Sequence, residues 1–484
     1  MQEVEVQALP LELLTSILAA ERAQRLAASA DKARAMFGNR TIWHVSATAH
    51  GGGVAEMLQT LLAYGRGAQI ENRWLVLDGR QDFFAITKRV HNLLHGDAGD
   101  GGPLGAHEHA VYEEVLAPNV AEVTSMVSSR DIVLLHDPQT AGIVDGLREA
   151  GVRVAWRCHV GWDERNEQTD LAWEFLRGYI EAADAFVFSR VEYVPDWLDH
   201  DRLVIIPPSI DPFSAKNRDL EPETVSAILA TVGLFTGIEA DGPVEFERRD
   251  GSRDTVRAHR NLIADGPPPP YDARLVLQVS RWDRLKDMAG VMMGFAMVAD
   301  DGPQDAHLML VGPDVSGVTD DPEGAEVLAE VVTAWQELPQ RDRQRVHLAL
   351  LPMADPDENA IMVNALQRRA DVVTQMSLAE GFGLTVAEAM WKARPVVATG
   401  VGGIRDQIED GRTGFLVGPH DLAAYGARVS ALLKDPHDAE RIGQAAQARV
   451  RDAFLGPRHL GQYVDLLERV LTEAPPHVPI GARP

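Results

Sequence analysis

The chain has 484 residues, of which 45% are hydrophobic and 24% charged, and its formal net charge is −26 at neutral pH. This excess of carboxylates argues against a nucleic-acid partner or an anionic membrane surface, because both attract basic faces. One cysteine, Cys158, excludes an intrachain disulfide and a cysteine-rich metal site. No window approaches the roughly 20 apolar residues of a membrane span. The N-terminal stretch from Met1 to Leu26 predicts an amphipathic helix and not a secretory leader, so we expect a cytoplasmic protein.

Short apolar, β-branched runs alternate with longer helical patterns along the whole chain, which predicts parallel α/β sheets. In the first half, the predicted strands begin at Thr41, Arg73, Asp131, Arg153, Ala185 and Arg202. In the second half, they begin at Arg274, His307, Val346, Asp371, Pro395 and Gly414. The fold class is therefore α/β, with two doubly wound, Rossmann-like domains. Ligands of such sheets bind at the carboxyl ends of the strands, so we expect the site in a cleft between the domains.

The predicted domain boundaries follow from this alternation. Residues 1–210 form an N-terminal domain and residues 211–458 a C-terminal domain, with residues 459–484 as a closing helix and tail. The helical pattern in this last segment could pack on either domain. Within the second domain, residues 236–272 are rich in arginine and contain four consecutive prolines, which a helix or a central strand does not accommodate. We read this segment as an irregular insertion.

Three consecutive glycines, Gly51, Gly52 and Gly53, join a strand to a helix in the first domain. Residues without side chains let the backbone approach a ligand closely and adopt unusual dihedral angles. A dinucleotide, a nucleotide phosphate, a sugar or only a neighbouring strand could make that approach. A nicotinamide enzyme is disfavoured, because no G-x-G-x-x-G follows a strand with an acidic residue about 20 positions further on.

Two polar residues follow other strands of this domain. Asp137 stands in the sequence HDPQ, and His159 ends the run that starts at Arg153. Each has an ordinary structural alternative, since aspartate before proline forms turns and a histidine at a strand end is commonly satisfied by hydrogen bonds. The residues alone do not choose between these alternatives and a ligand site.

The second domain carries a more informative run, which starts at Met376. A strand leads through a turn with Gly381 and Gly383 into a helix that begins near Leu384 or Thr385. The free amides and the positive dipole end of such a helix form an anion site. An ordinary glycine loop flanked by two solvated glutamates, Glu380 and Glu388, is the alternative.

A second cationic element favours the anion site. Arg281 and Lys286 follow a strand end in QVSRWDRLKD and are separated by a turn, so both could meet the same phosphates. Either residue alone is typical of a surface ion pair. Together with the glycine turn they predict a diphosphate site in the second domain.

These motifs resemble a known family. Glu380 and Glu388 enclose seven residues, as in the Glu-x7-Glu signature of retaining GT-B glycosyltransferases, and VGGIRDQIEDGRTGFLV is similar to that superfamily's second domain. In the first half, SATAHGGGVAEML, FFAITKRVHNLLHG, LLHDPQTAG, WRCHVG and VIIPPSIDPFSAKN resemble the trehalose glycosyltransferring synthases. Those enzymes join a nucleotide-activated glucose to free glucose, and retaining trehalose phosphorylases are their near relatives.

The resemblance implies a role for each matching position. The implied catalytic residues are His159, Arg281, Lys286 and Glu380. Arg281 and Lys286 would bind the donor diphosphate, and Glu388 the ribose. The implied donor-binding set also contains Gly51, Gly52, Gly53, Glu380, Gly381, Phe382, Gly383, Leu384 and Thr385. Asp137 and His159 would lie on the acceptor side, and residues 352–357 near the base.

The implied reaction makes α,α-trehalose reversibly from a nucleoside-diphosphate glucose and glucose, with retention. Retention normally suggests a carboxylate nucleophile. No carboxylate here matches such a position in the family, so we favour front-face substitution. We expect no cofactor and no required metal. The Asp-x-Asp patterns at Asp199 and Asp355 are read as turns.

Several alternatives stay open at this stage. A retaining trehalose phosphorylase, or a related transferase with another acceptor, fits the same motifs. A non-catalytic nucleotide-sugar sensor is disfavoured because both glutamates and both cations are present. The sequence does not decide whether the nucleotide is UDP, ADP or GDP, in which direction the reaction runs, or which acceptor is used. It also leaves open the role of the insertion and the oligomeric state, for which a homodimer is one option.

Overall fold

The computed structural model describes residues 1–49, 52–315 and 322–472, and the chain divides into two compact units. The first unit contains Met1–Ser209 and Gly456–Pro484, and the second contains Ile210–Leu455. The predicted boundary after residue 210 lies one residue from this division. The closing helix, which the sequence could not assign, belongs to the first unit.

The first unit is built on a sheet with strand order β1-β3-β2-β4-β5-β6-β7 among the described residues. The strands are β1 (Gln2–Glu3), β2 (Ile42–Ser46), β3 (Asn72–Val76), β4 (Ile132–His136), β5 (Arg153–Cys158), β6 (Ala185–Phe188) and β7 (Leu203–Ile205). The helices are α1 (Leu11–Ser16), α2 (Ala20–Phe37), α3 (Gly53–Gly67), α4 (Gln81–Leu94), α5 (Ala106–Met126), α6 (Val144–Glu149) and α7 (Glu167–Ile180). Every pair is parallel except β1 with β3. Strands β2 and β4 are buried throughout, as expected of a sheet covered on both faces.

The second unit has the strand order β10-β13-β12-β11-β14-β15-β16, with a separate pair β8-β9. Its strands are β8 (Glu245–Glu247), β9 (Arg253–Thr255), β10 (Leu262–Ile263), β11 (Arg274–Val279), β12 (Ala306–Pro313), β13 (Val346–Leu351), β14 (Val372–Gln375), β15 (Val396–Thr399) and β16 (Phe415–Val417). Its helices are α8 (Pro222–Val232), α9 (Met288–Asp301), α10 (Pro322–Glu337), α11 (Gln340–Arg343), α12 (Pro356–Arg369), α13 (Leu384–Trp391), α14 (Ile404–Gln407), α15 (Leu422–Lys434) and α16 (Pro436–Ala453). The twelve predicted strands are β2–β7 and β11–β16. None of the helices in the described ranges is long and apolar enough to cross a membrane.

The prediction for the amino-terminal stretch is wrong in part. Gln2–Glu3 form an edge strand antiparallel to β3, and the helical region is split into α1 and α2. Pro10 is the residue before α1 and has extended dihedrals. Proline has no amide hydrogen to donate to a preceding helical turn, so a helix does not continue through this position. One continuous helix therefore cannot run through this stretch.

The insertion, residues 236–272, is more ordered than the sequence predicts. It contains the hairpin β8-β9 and the edge strand β10, which pairs antiparallel with β13. Arg248 binds the carboxylate of Asp355, with one contact of 2.9 Å, and Arg257 contacts Glu358 at 2.5 Å. The insertion is thereby fixed to the start of α12, next to the segment that the resemblance assigns to the base.

The last helix, α17 (Gly456–Thr472), packs on one face of the first sheet. Beneath it lies the fully buried side chain of Arg157, which donates to the Tyr463 hydroxyl and, at 3.0 Å, to the Ile206 carbonyl. The helix therefore supplies, through the Tyr463 hydroxyl, one of the hydrogen-bond acceptors of the buried Arg157 guanidinium.

Replacing Tyr463 by phenylalanine tests this pairing. The change keeps the ring but removes the acceptor of a buried guanidinium, so we expect the free energy of unfolding to fall by about 1–3 kcal/mol. The measurement is urea unfolding of wild type, Tyr463→Phe, Arg157→Met and the double variant. In a double-mutant cycle, losses that simply add would show that the two side chains do not stabilise one another.

Candidate active site

The cationic element and the glycine turn of the second unit meet at neighbouring strands. Lys286 lies in a short turn after β11, and Glu380 lies in the loop between β14 and α13. Strands β11 and β14 are adjacent and parallel, so both loops leave the same edge of the sheet. The Lys286 ammonium contacts Glu380 Oε2 at 2.6 Å, and both side chains are mostly buried. The structure thus brings together two segments that are 94 residues apart in sequence.

Residues that the sequence reasoning missed hold this pair in place. The Ser377 hydroxyl donates to the same Glu380 oxygen at 3.1 Å. The buried Gln278 side chain donates to the Lys286 carbonyl at 2.9 Å and accepts from the Met376 amide at 3.1 Å. The sequence signal that could have found Gln278 is a glutamine within the apolar part of β11, because a buried amide needs polar partners.

Helix α13 begins where the sequence predicts. Gly383 precedes it with φ 82°, a left-handed conformation that favours glycine. A Cβ added there would lie 3.2 Å from Glu380 Cγ and 3.1 Å from Ile404 Cγ1. The hydroxyl of Thr385 donates to Gln375 Oε1 at 3.0 Å, which ties the first turn of the helix to the end of β14. Gly383 and Thr385 therefore fix the position at which the helix begins.

Glu388 and Arg281 occupy different environments. Glu388 is buried on α13, and Lys216 Nζ lies 3.5 Å from its Oε1. The structural alternative, in which Glu388 is a solvated glutamate beside a glycine loop, does not describe this environment. Lys216, in the sequence SAKN, was not singled out by the sequence reasoning. Arg281 has 59% of its side chain exposed and contacts Asp283 at 3.3 Å. It lies at the same edge of the sheet as Lys286, where a ligand can reach it.

In the first unit, Asp137 and His159 are joined directly. The Asp137 carboxylate accepts from the His159 amide at 2.8 Å, and the Asp137 carbonyl accepts from Trp156 Nε1 at 3.2 Å. Asp137 also has φ 65°, an uncommon conformation for a residue other than glycine. It therefore forms a turn, as the structural alternative proposed, and it also fixes the loop that carries His159.

Burial controls the ionisation of both groups. It lowers the pKa of His159 well below the usual value, and the positive charge of Arg157 lowers it further, so the imidazole is neutral at neutral pH. Burial raises the pKa of Asp137 to about 7, although the hydrogen bond from His159 opposes this rise. The His159 ring is also 3.1 Å from His136, measured from Nε2 to Nδ1.

The glycine triplet is described only in part, because Gly51 lies outside the described residues. Gly52 has φ 141° and precedes α3, which begins at Gly53. A Cβ built at Gly52 would meet no atom of the described residues within 4 Å. Its backbone therefore borders open space at the carboxyl end of β2, as the close approach of a ligand requires.

The two Asp-x-Asp patterns have structural roles. Asp199 accepts from the Asp201 amide at 3.0 Å, and Asp355 begins α12 by accepting from Asp357 and Glu358. Within residues 1–49, 52–315 and 322–472, no group of three or more His, Cys, Asp or Glu side chains is arranged to hold a metal ion.

The ionisation of Asp137 gives a pH-dependent stability. With a pKa raised from 3.8 to about 7, the folded protein retains a proton that the unfolded chain releases. The resulting stabilisation is complete below about pH 4 and is lost as the pH rises through about 7. Asparagine keeps the oxygen acceptor and cannot ionise. We expect Asp137→Asn to gain thermal stability over wild type near pH 8 and not near pH 4; an equal difference in Tm at both pH values would contradict this.

Comparison with known proteins agrees with both units. Residues 44–195 match the family described as trehalose synthase, N-terminal domain, and residues 263–449 match glycosyl transferases group 1. The trehalose synthases of Pyrococcus horikoshii and Rubrobacter xylanophilus are 35% and 36% identical to this chain. These alignments cover 94% and 89% of the chain and 95% and 90% of those proteins. Trehalose phosphorylase of Pleurotus pulmonarius is 24% identical over 84% of the chain and 54% of its own length.

Solved structures share the fold. Sucrose-phosphate synthase from Thermosynechococcus elongatus has a TM-score of 0.60 at 18% identity, and covers 90% of this chain and 100% of its own. An α,α-trehalose-phosphate synthase from Burkholderia xenovorans has a TM-score of 0.65 at 13% identity, with the same coverage of 90% and 100%. The two doubly wound α/β sheets have the GT-B fold, and the match to glycosyl transferases group 1 shows that the chain is a glycosyltransferase. The chain belongs to the trehalose synthase family of these enzymes.

Proposed function

We propose that the protein is a retaining glucosyltransferase that makes α,α-trehalose reversibly from a nucleoside-diphosphate glucose and free glucose. The observation that carries the proposal is the contact of 2.6 Å between Lys286 and Glu380 beside the start of α13. A cation, a carboxylate and free helix amides at one sheet edge suit a glycosyl diphosphate, whose phosphates need positive charge and whose sugar offers hydroxyls. Full-length relatives named trehalose synthase support the choice of product.

Each site residue takes a role in this proposal. Lys286, Arg281 and the amides of α13 stabilise the diphosphate as it leaves. Glu380 holds hydroxyls of the transferred glucose and keeps the Lys286 ammonium at the edge of the sheet. Glu388 binds the ribose. In the first unit, Asp137 and His159 serve the acceptor side, with His159 neutral so that it does not repel the positive charge that develops on the sugar.

The proposed step is a substitution on one face of the sugar. The bond from C1 to the diphosphate oxygen breaks while the acceptor hydroxyl oxygen bonds to C1 from the same side. The hydroxyl proton passes to an oxygen of the departing diphosphate. Preorganised donors aimed at the charge that develops on the leaving group lower the barrier without any reorganisation. In this proposal no cofactor and no metal takes part.

Synthesis in the forward direction tests the proposal. The protein is incubated with glucose and, in turn, UDP-, ADP- and GDP-glucose, with and without a chelator, and the disaccharide is analysed by NMR. We expect α,α-trehalose from at least one donor at a rate that the chelator does not change. A product with the β configuration at the carbon that came from the donor would contradict retention, and a rate that collapses on chelation would contradict the metal-free reaction.

The related trehalose phosphorylases supply a second candidate. In that reaction inorganic phosphate takes the place of the nucleoside diphosphate, and the same cations would bind it. The similarity to Pleurotus pulmonarius trehalose phosphorylase favours this candidate less, because the chain matches 54% of that protein and 95% of the Pyrococcus horikoshii synthase.

A further inference from the structure

Three imidazoles form a hydrogen-bonded row across the first sheet. His44 Nδ1 lies 3.1 Å from His136 Nε2, and His136 Nδ1 lies 3.1 Å from His159 Nε2. His44 is on β2, His136 ends β4 and His159 follows β5, and these strands are neighbours. His44 pairs in register with Leu134, so each step of the row moves two residues toward the carboxyl edge. Residues two apart share a face of a sheet, so all three rings lie on one face.

The row has one accessible end. His44 and His136 are 2% and 1% exposed, whereas His159 is partly exposed at the carboxyl edge. The same face of the sheet carries Arg157, which pairs in register with His136. The row therefore runs from the interior of the first unit to the residue that the proposed function assigns to the sugar.

The surroundings keep the row uncharged. Burial lowers the pKa of all three imidazoles, to about 3 for His44, and the positive charge of Arg157 lowers them further. His459 of α17 is also buried, and burial together with Arg157 and Arg458 lowers its pKa too.

A neutral imidazole has one N–H donor and one acceptor nitrogen. When His44 Nδ1 donates, His136 Nδ1 must donate to His159 Nε2, and the proton of His159 is on Nδ1. When His159 Nε2 donates, every proton in the row lies on the opposite nitrogen. The tautomers of the three rings are therefore coupled, and the nitrogen that His159 offers to a ligand depends on a residue two strands away.

We propose that His44 and His136 are positioning residues that hold His159 in one tautomer and one ring orientation for its contact with the sugar. The inference rests on the proposed function for the identity of the ligand but not for the coupling itself. A single tautomer gives His159 a fixed donor or acceptor at Nδ1. A sugar oxygen then meets one arrangement of the site and not a mixture of two.

Replacing His44 by phenylalanine breaks the far end of the row without touching His159. We expect kcat for trehalose synthesis to fall about tenfold while KM for the donor changes little, since a hydrogen bond is misaligned and not removed. His44→Asn places an amide near the position of Nδ1 and is expected to recover part of that loss. Nitrogen-15 NMR of the imidazoles should show one tautomer of His159 in wild type and a mixture in His44→Phe.

His347→Phe is the matched control. His347 is equally buried and lies 2.9 Å from His307, measured from Nε2 to Nδ1, but this pair is in the second unit at the amino ends of β12 and β13. Its loss should lower Tm and leave kcat within twofold of wild type. The proposal is overturned when folded His44→Phe retains full kcat, or when the His159 tautomer is the same in wild type and His44→Phe. The NMR result needs no activity, so failure of the proposed function remains distinguishable.

Discussion

Replacing Lys286 by methionine is expected to lower kcat about a thousandfold, the upper range for removing one preorganised charge stabiliser. Lys286 is the mostly buried cation beside Glu380, and its ammonium is expected to meet the charge that develops on the leaving diphosphate. Methionine keeps the chain length and removes the charge. Steady-state synthesis from the preferred donor measures the effect, and calorimetric titration with the nucleoside diphosphate measures the accompanying loss of affinity.

The same turn provides a matched control. Arg284 is two residues before Lys286 and forms an exposed ion pair with Glu330 at 2.7 Å, so Arg284→Met removes an equal charge from the same element. Exposed pairs contribute little to stability, and we expect kcat to stay within about twofold of wild type. A Lys286→Met enzyme that also stayed within tenfold of wild type would place the phosphates elsewhere.

Glu380→Gln should slow turnover, and mass spectrometry of the variant should detect no trapped covalent glycosyl-enzyme.

The second large effect is expected for Gly383→Ala. Gly383 has φ 82°, and an added Cβ would lie 3.2 Å from Glu380 Cγ. The substitution therefore strains the backbone before α13 and pushes Glu380 from its place beside Lys286. A misplaced catalytic group costs about a hundredfold, so we expect kcat/KM to fall by that factor.

Gly411→Ala separates the two causes. Gly411 has a similar φ of 73° in the same unit, but a Cβ there would meet no atom within 4 Å in the part of the chain that the structure describes. Both variants should lose comparable stability from left-handed strain, about 1–2 kcal/mol. Only Gly383→Ala should lose activity. Equal activity of the two variants would show that the position of Glu380 is not critical.

The twelve predicted strands were predictable because each lies in a nearly continuous apolar run, the pattern of a sheet covered by helices. The missed strands β1, β8, β9 and β10 have two or three residues each and lie at edges or in a hairpin. Backbone pairing with distant segments forms them. Strands this short carry too few side chains for an alternating pattern.

The contact between Lys286 and Glu380 was predictable for a related reason. Parallel strands end at one edge, so charged loops after β11 and β14 could be expected to meet, and Lys286 and Glu380 do. Gln278, Ser377, His44 and His136 were not found as site residues. Their roles depend on which strands are neighbours and on which face a side chain lies, and neither follows from a residue's own segment. The binding and catalytic roles predicted for all of these site residues remain predictions.

The measurement that tests the account most directly runs the reaction in reverse. The protein is incubated with trehalose and, separately, UDP, ADP, GDP or inorganic phosphate, and the products are separated and identified. We predict glucose and a nucleoside-diphosphate glucose with at least one nucleotide, and no glucose 1-phosphate with phosphate alone. Release of glucose 1-phosphate from trehalose and phosphate, with no product from any nucleotide, would contradict the proposed synthase reaction.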